Sequence, residues 1–136
     1  MIIKDLEGNS HKWQLTGNMA YGKSENKSTL HLRTRKILKD LFPTLQILEE
    51  VAIPLRKAET LYLDFYMPLT RVCVEAHGEQ HYKFIAHYHN NPLGFVRHKK
   101  RDKEKAEWCK INGIRLIELP FDENDEEWIK RILNDN

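Results

Sequence analysis

Two short runs rich in β-branched and aromatic residues, LYLDFYM at 61–67 and RVCVEAH at 71–77, constrain the fold more than any other sequence feature. Runs of this length and composition are typical of β-strands, and the intervening Pro-Leu-Thr stretch is where the chain must turn. We therefore predict an antiparallel hairpin. A tight turn centred on the Leu-Thr pair would join residues whose numbers sum to 139, which places Asp64 directly opposite Glu75.

These two acids are predicted to share one face of the hairpin. Strict alternation would place Leu61, Leu63 and Phe65 together on the other face. Directly opposed side chains have Cβ atoms roughly 4.5 to 5.5 Å apart, and like charges at that distance are destabilising. A bound cation would offset the repulsion, and Mg²⁺ is usually held by one or two carboxylates with water and a substrate phosphate. The pattern predicts a Mg²⁺ site at Asp64 and Glu75, with Mn²⁺ as an alternative ion; the competing interpretation is a hydrated polar face.

The second run abandons its apolar pattern in VEAHGEQHY, residues 74–82. His77, Gln80 and His81 can supply hydrogen-bond donors or a proton-transfer group beside a metal and a phosphate. Gly78 would let the backbone turn sharply or approach a ligand closely. This composition predicts that the end of the strand lines a binding or catalytic site.

The remaining chain predicts one domain over residues 1–136, because this length and 40% hydrophobic residues suffice for one core. Turn-forming clusters and weak periodicity predict a loosely structured N-terminal arm over 1–26. Pro54 is expected to end the first strand. The other predicted elements are a helix at 28–41, a strand at 46–53, the hairpin, a basic helix at 97–111, a strand at 114–119 and a helix at 125–133. The fold class is therefore α/β, of the mixed α+β kind.

Positive charge is concentrated in two segments although the net charge is only +2. Residues 97–110 contain seven Lys or Arg against three acids, and residues 23–39 contain six against one. Two basic segments on one face would bind a polyanion, although a basic run is also typical of a solvated helix face. Charge alone therefore leaves both interpretations open.

The cysteines and hydropathy indicate a cytoplasmic protein that does not associate with membranes. Cys73 and Cys109 lie in apolar stretches without a CxxC pair, so we expect buried, reduced thiols and no cysteine zinc site. No signal-peptide run or stretch of eighteen apolar residues occurs. His81, His87 and His89 could form a zinc site, but the lack of a helical HxxxH pair disfavours it.

Three segments, DFYMP, VCVEAHGEQHY and RDKEKAEWCKINGIRLIEL, together resemble the PD-(D/E)XK nuclease superfamily. The likeness is to small nucleases similar to very-short-patch-repair and phage homing endonucleases, and it covers residues 28–119. The resemblance implies a restriction-endonuclease-like core of a helix, three antiparallel strands, a helix and a further strand, here followed by a C-terminal helix. It also implies a metal-dependent DNA endonuclease in a bacterial or phage-infected cell.

The resemblance also implies roles for individual residues. Asp64 and Glu75 would hold the metal, and Glu25 or His31 would be an additional ligand. Gly78 and Asp102 would support the site, Asp102 by orienting a motif residue or pairing with a base. Together with the residue chemistry, the resemblance predicts that the catalytic residues are Asp64, Glu75, His77, Gln80 and His81. It implies that Arg101 and Lys105 bind phosphate; we also predict DNA contacts from His89 and, in the two basic segments, from Arg35, Lys99 and Lys100.

One departure from the superfamily pattern keeps alternatives open. His77 stands where relatives usually have Lys or Asp, which leaves both the general base and the number of metals undecided. It also favours a second function, a nuclease-like module that binds nucleic acid without cutting it. An active nuclease of this size would need to form a homodimer or act twice to cut both DNA strands.

Overall fold

The computed structural model describes residues 1–15, 18–19 and 27–134, with the backbone alone at residues 18, 19 and 87. The candidate ligand Glu25 and the side chain of His87 lie outside the described residues. The elements, in chain order, are β1 (Ile2–Lys4), β2 (Ser10–Lys12), β3 (Asn18–Met19), α1 (Thr29–Leu41), β4 (Leu48–Arg56), β5 (Glu59–Met67), β6 (Val72–His77), a 3-10 turn (Glu79–His81), the single turn α2 (Ala86–His89), α3 (Pro92–Ile111), β7 (Arg115–Pro120) and α4 (Asp125–Leu133).

A five-stranded mixed sheet, ordered β3-β4-β5-β6-β7, forms the centre of the fold. Neighbours from β3 to β6 are antiparallel, whereas β7 runs parallel to β6 after the chain crosses over through α3. β1 and β2 form a separate antiparallel pair. The mixed α/β class is confirmed, and so is the predicted order from α1 onward of a helix, three antiparallel strands, a helix, a strand and a helix. Among the described residues, no helix is long and apolar enough to cross a membrane.

The register of the central hairpin is as predicted. Each paired residue number in β5 and β6 sums to 139: the pairs are Phe65 with Val74, Tyr66 with Cys73, and Met67 with Val72. Arg71 adopts a left-handed backbone conformation, with φ of 56°, where the turn enters β6. Because the register holds, Asp64 and Glu75 come next along the two strands, where the backbone pairing ends.

Two buried clusters lie on opposite faces of the sheet, because successive residues of the hairpin alternate between them. The first cluster packs against α3 and contains Leu63, Tyr66, Cys73, Trp108 and Cys109, among others. The second packs against α1 and α4 and contains Ile37, Leu38, Phe65, Met67, Val72, Val74, Trp128 and Ile132, among others. Both cysteines are free and buried, as predicted.

The prediction that Leu63 and Phe65 share a face is wrong, because they belong to different clusters. Pairing between β4 and β5 passes from Glu49–Phe65 to Val51–Leu63 and omits the residues between them. Glu50 has a φ of 55°, so the pleat is interrupted there and the side-chain alternation restarts. Asp64 therefore lies at a break in the sheet.

Two predicted boundaries are corrected. β4 continues through Pro54. The described part of β3 pairs with β4 only as far as Glu49, so no described residue of β3 pairs with Pro54. At such an edge position the missing N–H of proline is tolerated. α3 begins at Pro92 rather than near Arg97, since Asn91 caps the helix by accepting a hydrogen bond from the Gly94 N–H and Pro92 takes the first helical position.

The prediction of a loosely structured arm is wrong for residues 1–15. β1 and β2 pair, and Ile3 and Trp13 are buried in the first cluster. The indole N–H of Trp13 donates to the carbonyl of Ala52 at 3.0 Å, and Asp5 accepts from the backbone N–H of Asn9 at 2.9 Å. Strands of three residues are too short to show a periodic pattern, so the sequence does not reveal them.

Candidate metal and proton-transfer site

Asp64 and Glu75 meet where β5 and β6 separate. The backbone N–H of Asp64 donates to Glu75 Oε2 at 2.5 Å, and the backbone N–H of Ala76 donates to Asp64 Oδ2 at 3.2 Å. Each carboxylate therefore bonds the backbone of the opposite strand, just past the last regular pair. The two acids come together as the predicted register requires.

Lys105 reaches this site from α3. Its Nζ lies 2.5 Å from Glu75 Oε1, and only 18% of its side chain is exposed. Lys105 therefore does not lie on the exposed surface of α3, because its ammonium is directed into the carboxylate site, and its contact with phosphate stays a prediction. A helix with charges on every side does not reveal from sequence which lysine points inward.

The electrostatics of the site favour positive charge. Burial and the negative charge of Asp64 raise the pKa of Glu75 from its ordinary 4.5 to about 8, although Lys105 acts in the opposite direction. Burial alone would lower the pKa of Lys105, but Glu75 and Asp64 outweigh burial and raise it. The ammonium thus stays charged, while Glu75 tends to keep a proton near neutral pH. Another cation beside the two acids would favour ionised Glu75.

His81 and Asp102 form a second feature beside this site. His81, at the end of the 3-10 turn, has its Nδ1 2.8 Å from Asp102 Oδ2. Burial raises the pKa of Asp102, but the hydrogen bond and the electrostatic interaction with His81 outweigh burial and lower it. A His81 ring that donates from Nδ1 to this carboxylate has its Nε2 lone pair available to accept a proton. Asp102 and Lys105 lie three residues apart, so both project from the same side of α3.

His77 is the last residue of β6, and its ring lies against that of His81. The His77 and His81 rings are stacked, with centroids 4.1 Å apart and planes within 1° of parallel. His77 Nδ1 is 3.2 Å from Glu118 Oε2 on β7. Burial and the neighbouring His81 lower the pKa of His77 to about 4, so its ring is neutral at pH 7. Sequence reasoning missed Glu118, which is placed here by the parallel pairing of Glu75 with Glu118.

Gly78 and Gln80 connect the strand to the histidine pair. Gly78 is extended, with φ of −73° and ψ of 176°, so the expected sharp turn at this residue is not present. A Cβ on Gly78 would lie 2.5 Å from Gln80 Oε1, so the glycine makes room for the folded Gln80 side chain. Gln80 is half-buried. Among the described residues, no hydrogen bond joins its side chain to Asp64 or Glu75.

Three of the six predicted DNA contacts are exposed on α3: Lys99, Lys100 and Arg101. Two others are corrected because their side chains are buried. Arg35 is buried and donates to both carboxylate oxygens of Glu49, at 2.7 and 2.9 Å. His89 is 3% exposed, and its Nδ1 accepts a hydrogen bond from the Ile85 N–H at 2.9 Å, so it does not face a DNA surface.

The candidate helix ligand His31 belongs to a different group of side chains. Its Nε2 lies 2.9 Å from Glu49 Oε1, and its ring stacks on Phe65 at 4.6 Å, on the α1 side of the sheet. Burial raises the pKa of Glu49, but Arg35 and His31 outweigh it and lower the pKa. Sequence reasoning missed Glu49; its signal was an acid on the otherwise apolar face of β4.

The histidines that come together also differ from the set of His81, His87 and His89, at which the sequence disfavours a zinc site. His81 meets His77 and Asp102, and His89 instead packs near Phe84, Phe95 and His98. His81 and His89 therefore belong to different groups among the described side chains.

The sequence is similar to two viral proteins. It is 42% identical over 65 residues to Uncharacterized protein 307L of Invertebrate iridescent virus 6, covering 48% of this chain and 33% of that protein. It is 32% identical over 75 residues to Uncharacterized protein 094L of Frog virus 3 (isolate Goorha), covering 54% of this chain and 48% of that protein. The matches thus span about a third to a half of these relatives. No protein-family model and no solved structure matches the chain.

Proposed function

We propose that this protein is a metal-dependent DNA endonuclease of the PD-(D/E)XK type, with a restriction-endonuclease-like core from α1 to β7. The observation that carries the proposal is the meeting of Asp64, Glu75 and Lys105 where β5 and β6 separate. The superfamily usually places its lysine two residues after the acid of β6. Here Lys105 of α3 would supply that ammonium, and His77 occupies the usual lysine position.

Asp64 and Glu75 suit Mg²⁺ or Mn²⁺, because carboxylate oxygens are the ligands these hard cations prefer. The raised pKa of Glu75 supports this fit, since a buried acid next to a second acid is stabilised in its ionised form by added positive charge. A cation bound there would supply charge stabilisation at the phosphoryl oxygen and would acidify a bound water.

The other residues of the site would move protons and hold the phosphate. His81, oriented by Asp102, would accept the proton of the attacking water at Nε2. Lys105 would donate a hydrogen bond to the phosphate as negative charge develops there. The lowered pKa of His77, about 4, makes its ring a weak proton acceptor, so we assign the role of general base to His81. The product would carry a 5′ phosphate, as the family resemblance implies.

The exposed lysines and arginine of α3 would contact the DNA backbone. Lys99, Lys100 and Arg101 follow one another directly before Asp102, so the basic segment adjoins the proposed catalytic residues. Phosphate contacts of this kind supply affinity without reading sequence. The similarity to viral proteins fits a location inside an infected host cell. Cutting both strands would require a homodimer or two successive reactions.

The proposal is tested by incubating purified protein with supercoiled, linear, single-stranded and branched DNA in Mg²⁺, Mn²⁺ or EDTA. We expect cleavage of at least one substrate with either ion and none in EDTA. Ligation of the products without prior phosphorylation would reveal the 5′ phosphate. Equal cleavage in EDTA would contradict the proposed role of the two acids.

A nucleic-acid-binding module without catalysis is the second candidate, and one contact favours it. Lys105 already supplies a positive charge to Glu75 at 2.5 Å, as it would in a purely structural ion pair. This function predicts DNA binding that is unchanged by Mg²⁺ or EDTA and no metal-stimulated cutting of any substrate.

A further inference from the structure

His77, His81 and Asp102 form a compact group, here named the histidine–aspartate cluster. One potential ligand atom from each residue lies within 4.8 Å of the others. The three residues come from the end of β6, the 3-10 turn and α3, so the fold brings together side chains that are far apart in sequence. The parallel stacking of the two rings keeps both imidazoles in the same small volume.

The donors of this cluster differ chemically from those at Asp64 and Glu75. Imidazole nitrogens suit borderline transition metals such as Zn²⁺, whereas Mg²⁺ takes oxygen ligands almost exclusively. Glu118 contacts the Nδ1 of His77, and carboxylates that hold a ligating imidazole in this way commonly accompany metal-bound histidines. Two neighbouring sites with different cation preferences therefore lie on the α3 side of the sheet.

We propose that the histidine–aspartate cluster binds Zn²⁺ or a similar transition-metal ion, and that this ion inhibits Mg²⁺-dependent DNA cleavage. Zinc bonds to nitrogen and oxygen are about 2.0 to 2.2 Å long, so the donor atoms must draw closer on binding. His81 and Asp102 are partly exposed and can move, while His77 is buried. A water molecule can complete four-coordination.

Inhibition follows from the role of His81 and rests on the proposed function. A His81 nitrogen that binds zinc has no lone pair left to accept a proton from water, and Asp102 no longer orients the ring. Zinc would thus act on proton transfer and leave Asp64 and Glu75 in place. Occupancy of the cluster would regulate the enzyme without occupying the magnesium site.

The binding experiment does not depend on any nuclease activity. Zn²⁺ is titrated into metal-free full-length protein by calorimetry, and Co²⁺ is followed by its visible absorption. We expect about one tight zinc site per chain and at least tenfold weaker binding in His77→Asn and Asp102→Asn. Glu75→Gln, outside the cluster, and His11→Asn, which removes a distant histidine paired with Asp5, should bind zinc as the wild type does.

A measurement on the wild type covers the case in which a cluster variant fails to fold. NMR of the histidine ring nitrogens should show zinc-dependent shifts for His77 and His81 but not for His11. The absence of wild-type zinc binding, shifts confined to other histidines, or unchanged affinity in folded His77→Asn and Asp102→Asn would each overturn the proposed site.

The inhibition experiment uses the wild type in saturating Mg²⁺. Zinc that fills the cluster should reduce the cleavage rate at least tenfold, and the inhibition constant should match the zinc affinity measured by calorimetry. Cleavage that continues at full rate with the cluster occupied would overturn inhibition. If the protein cuts no DNA at all, the proposed nuclease fails, while the binding titration still decides whether the cluster is a zinc site.

Discussion

The Nζ of Lys105 lies 2.5 Å from Oε1 of Glu75, across the interface between α3 and β6. Asp102 projects from the same side of α3, one turn earlier, and contacts His81 at 2.8 Å. A single helix therefore connects the pair of acids to the pair of histidines. This arrangement concentrates the proposed chemistry on one side of the sheet.

Lys105→Met should lower the rate of DNA cleavage at least tenfold in single-turnover assays. The substitution keeps a long side chain but removes the ammonium beside Glu75. The control Lys99→Met removes a lysine from the exposed surface of the same helix; it should chiefly weaken DNA binding and reduce the slope of log affinity against log salt by about 1. Equal losses of catalysis in the two variants would contradict the separate roles.

His81→Ala should reduce cleavage by about 10² to 10⁴-fold, the usual contribution of a general base. Asp102→Asn should give a smaller loss because the imidazole remains. The matched control is His98→Ala, whose ring centroid is 6.5 Å from that of His81. A rate and a pH–rate profile in His81→Ala that equal those of the wild type would rule out proton transfer by this residue.

The raised pKa of Glu75 predicts a pH-dependent stability. Because the folded-state pKa of about 8 exceeds the ordinary 4.5, this group's contribution is fully present below about pH 4.5 and is lost as pH rises through 8. In EDTA, the melting temperature of the wild type should therefore fall more steeply from pH 5 to 9 than that of Glu75→Gln. Mg²⁺ should stabilise the wild type most at the alkaline end, where Glu75 is ionised. Identical pH profiles for the two proteins would contradict the shift.

Glu49→Ala should destabilise the fold by about 3 to 5 kcal/mol, because it leaves the buried Arg35 without its carboxylate. The control Asp40→Ala removes an exposed partner of Lys36 on α1 and should change the free energy of unfolding by less than about 1 kcal/mol. Urea unfolding measures both. A similar small effect in the two variants would show that the Arg35–Glu49 pair is not important for stability.

The sequence predicts the parts of the fold that local patterns determine. Composition and residue spacing predict the positions of α1, β7 and α4. The two-residue centre of the turn predicts the strand register that brings Asp64 next to Glu75. These features depend on neighbours in sequence or on a short, regular turn.

The features that the sequence does not reveal depend on tertiary packing. Charged side chains lie on all sides of α3 between Arg97 and Lys105, so only the docking of the helix against β6 determines that Lys105 points inward while Lys99 stays exposed. The break at Glu50 and Asp64 depends on one positive φ, which no local pattern for Glu predicts. Likewise, Arg35 belongs to a basic run by composition, and only the approach of α1 to Glu49 makes it part of a buried ion pair.

Cleavage of supercoiled plasmid by wild-type protein and by Asp64→Asn, each with Mg²⁺ and with EDTA, tests the central claim most directly. Asn keeps the shape of the side chain but removes the charge that the metal requires. The account predicts Mg²⁺-dependent cutting by the wild type, at least a hundredfold slower cutting by folded Asp64→Asn, and similar DNA binding by both proteins. Asp64→Asn cutting as fast as the wild type in Mg²⁺ would contradict the account.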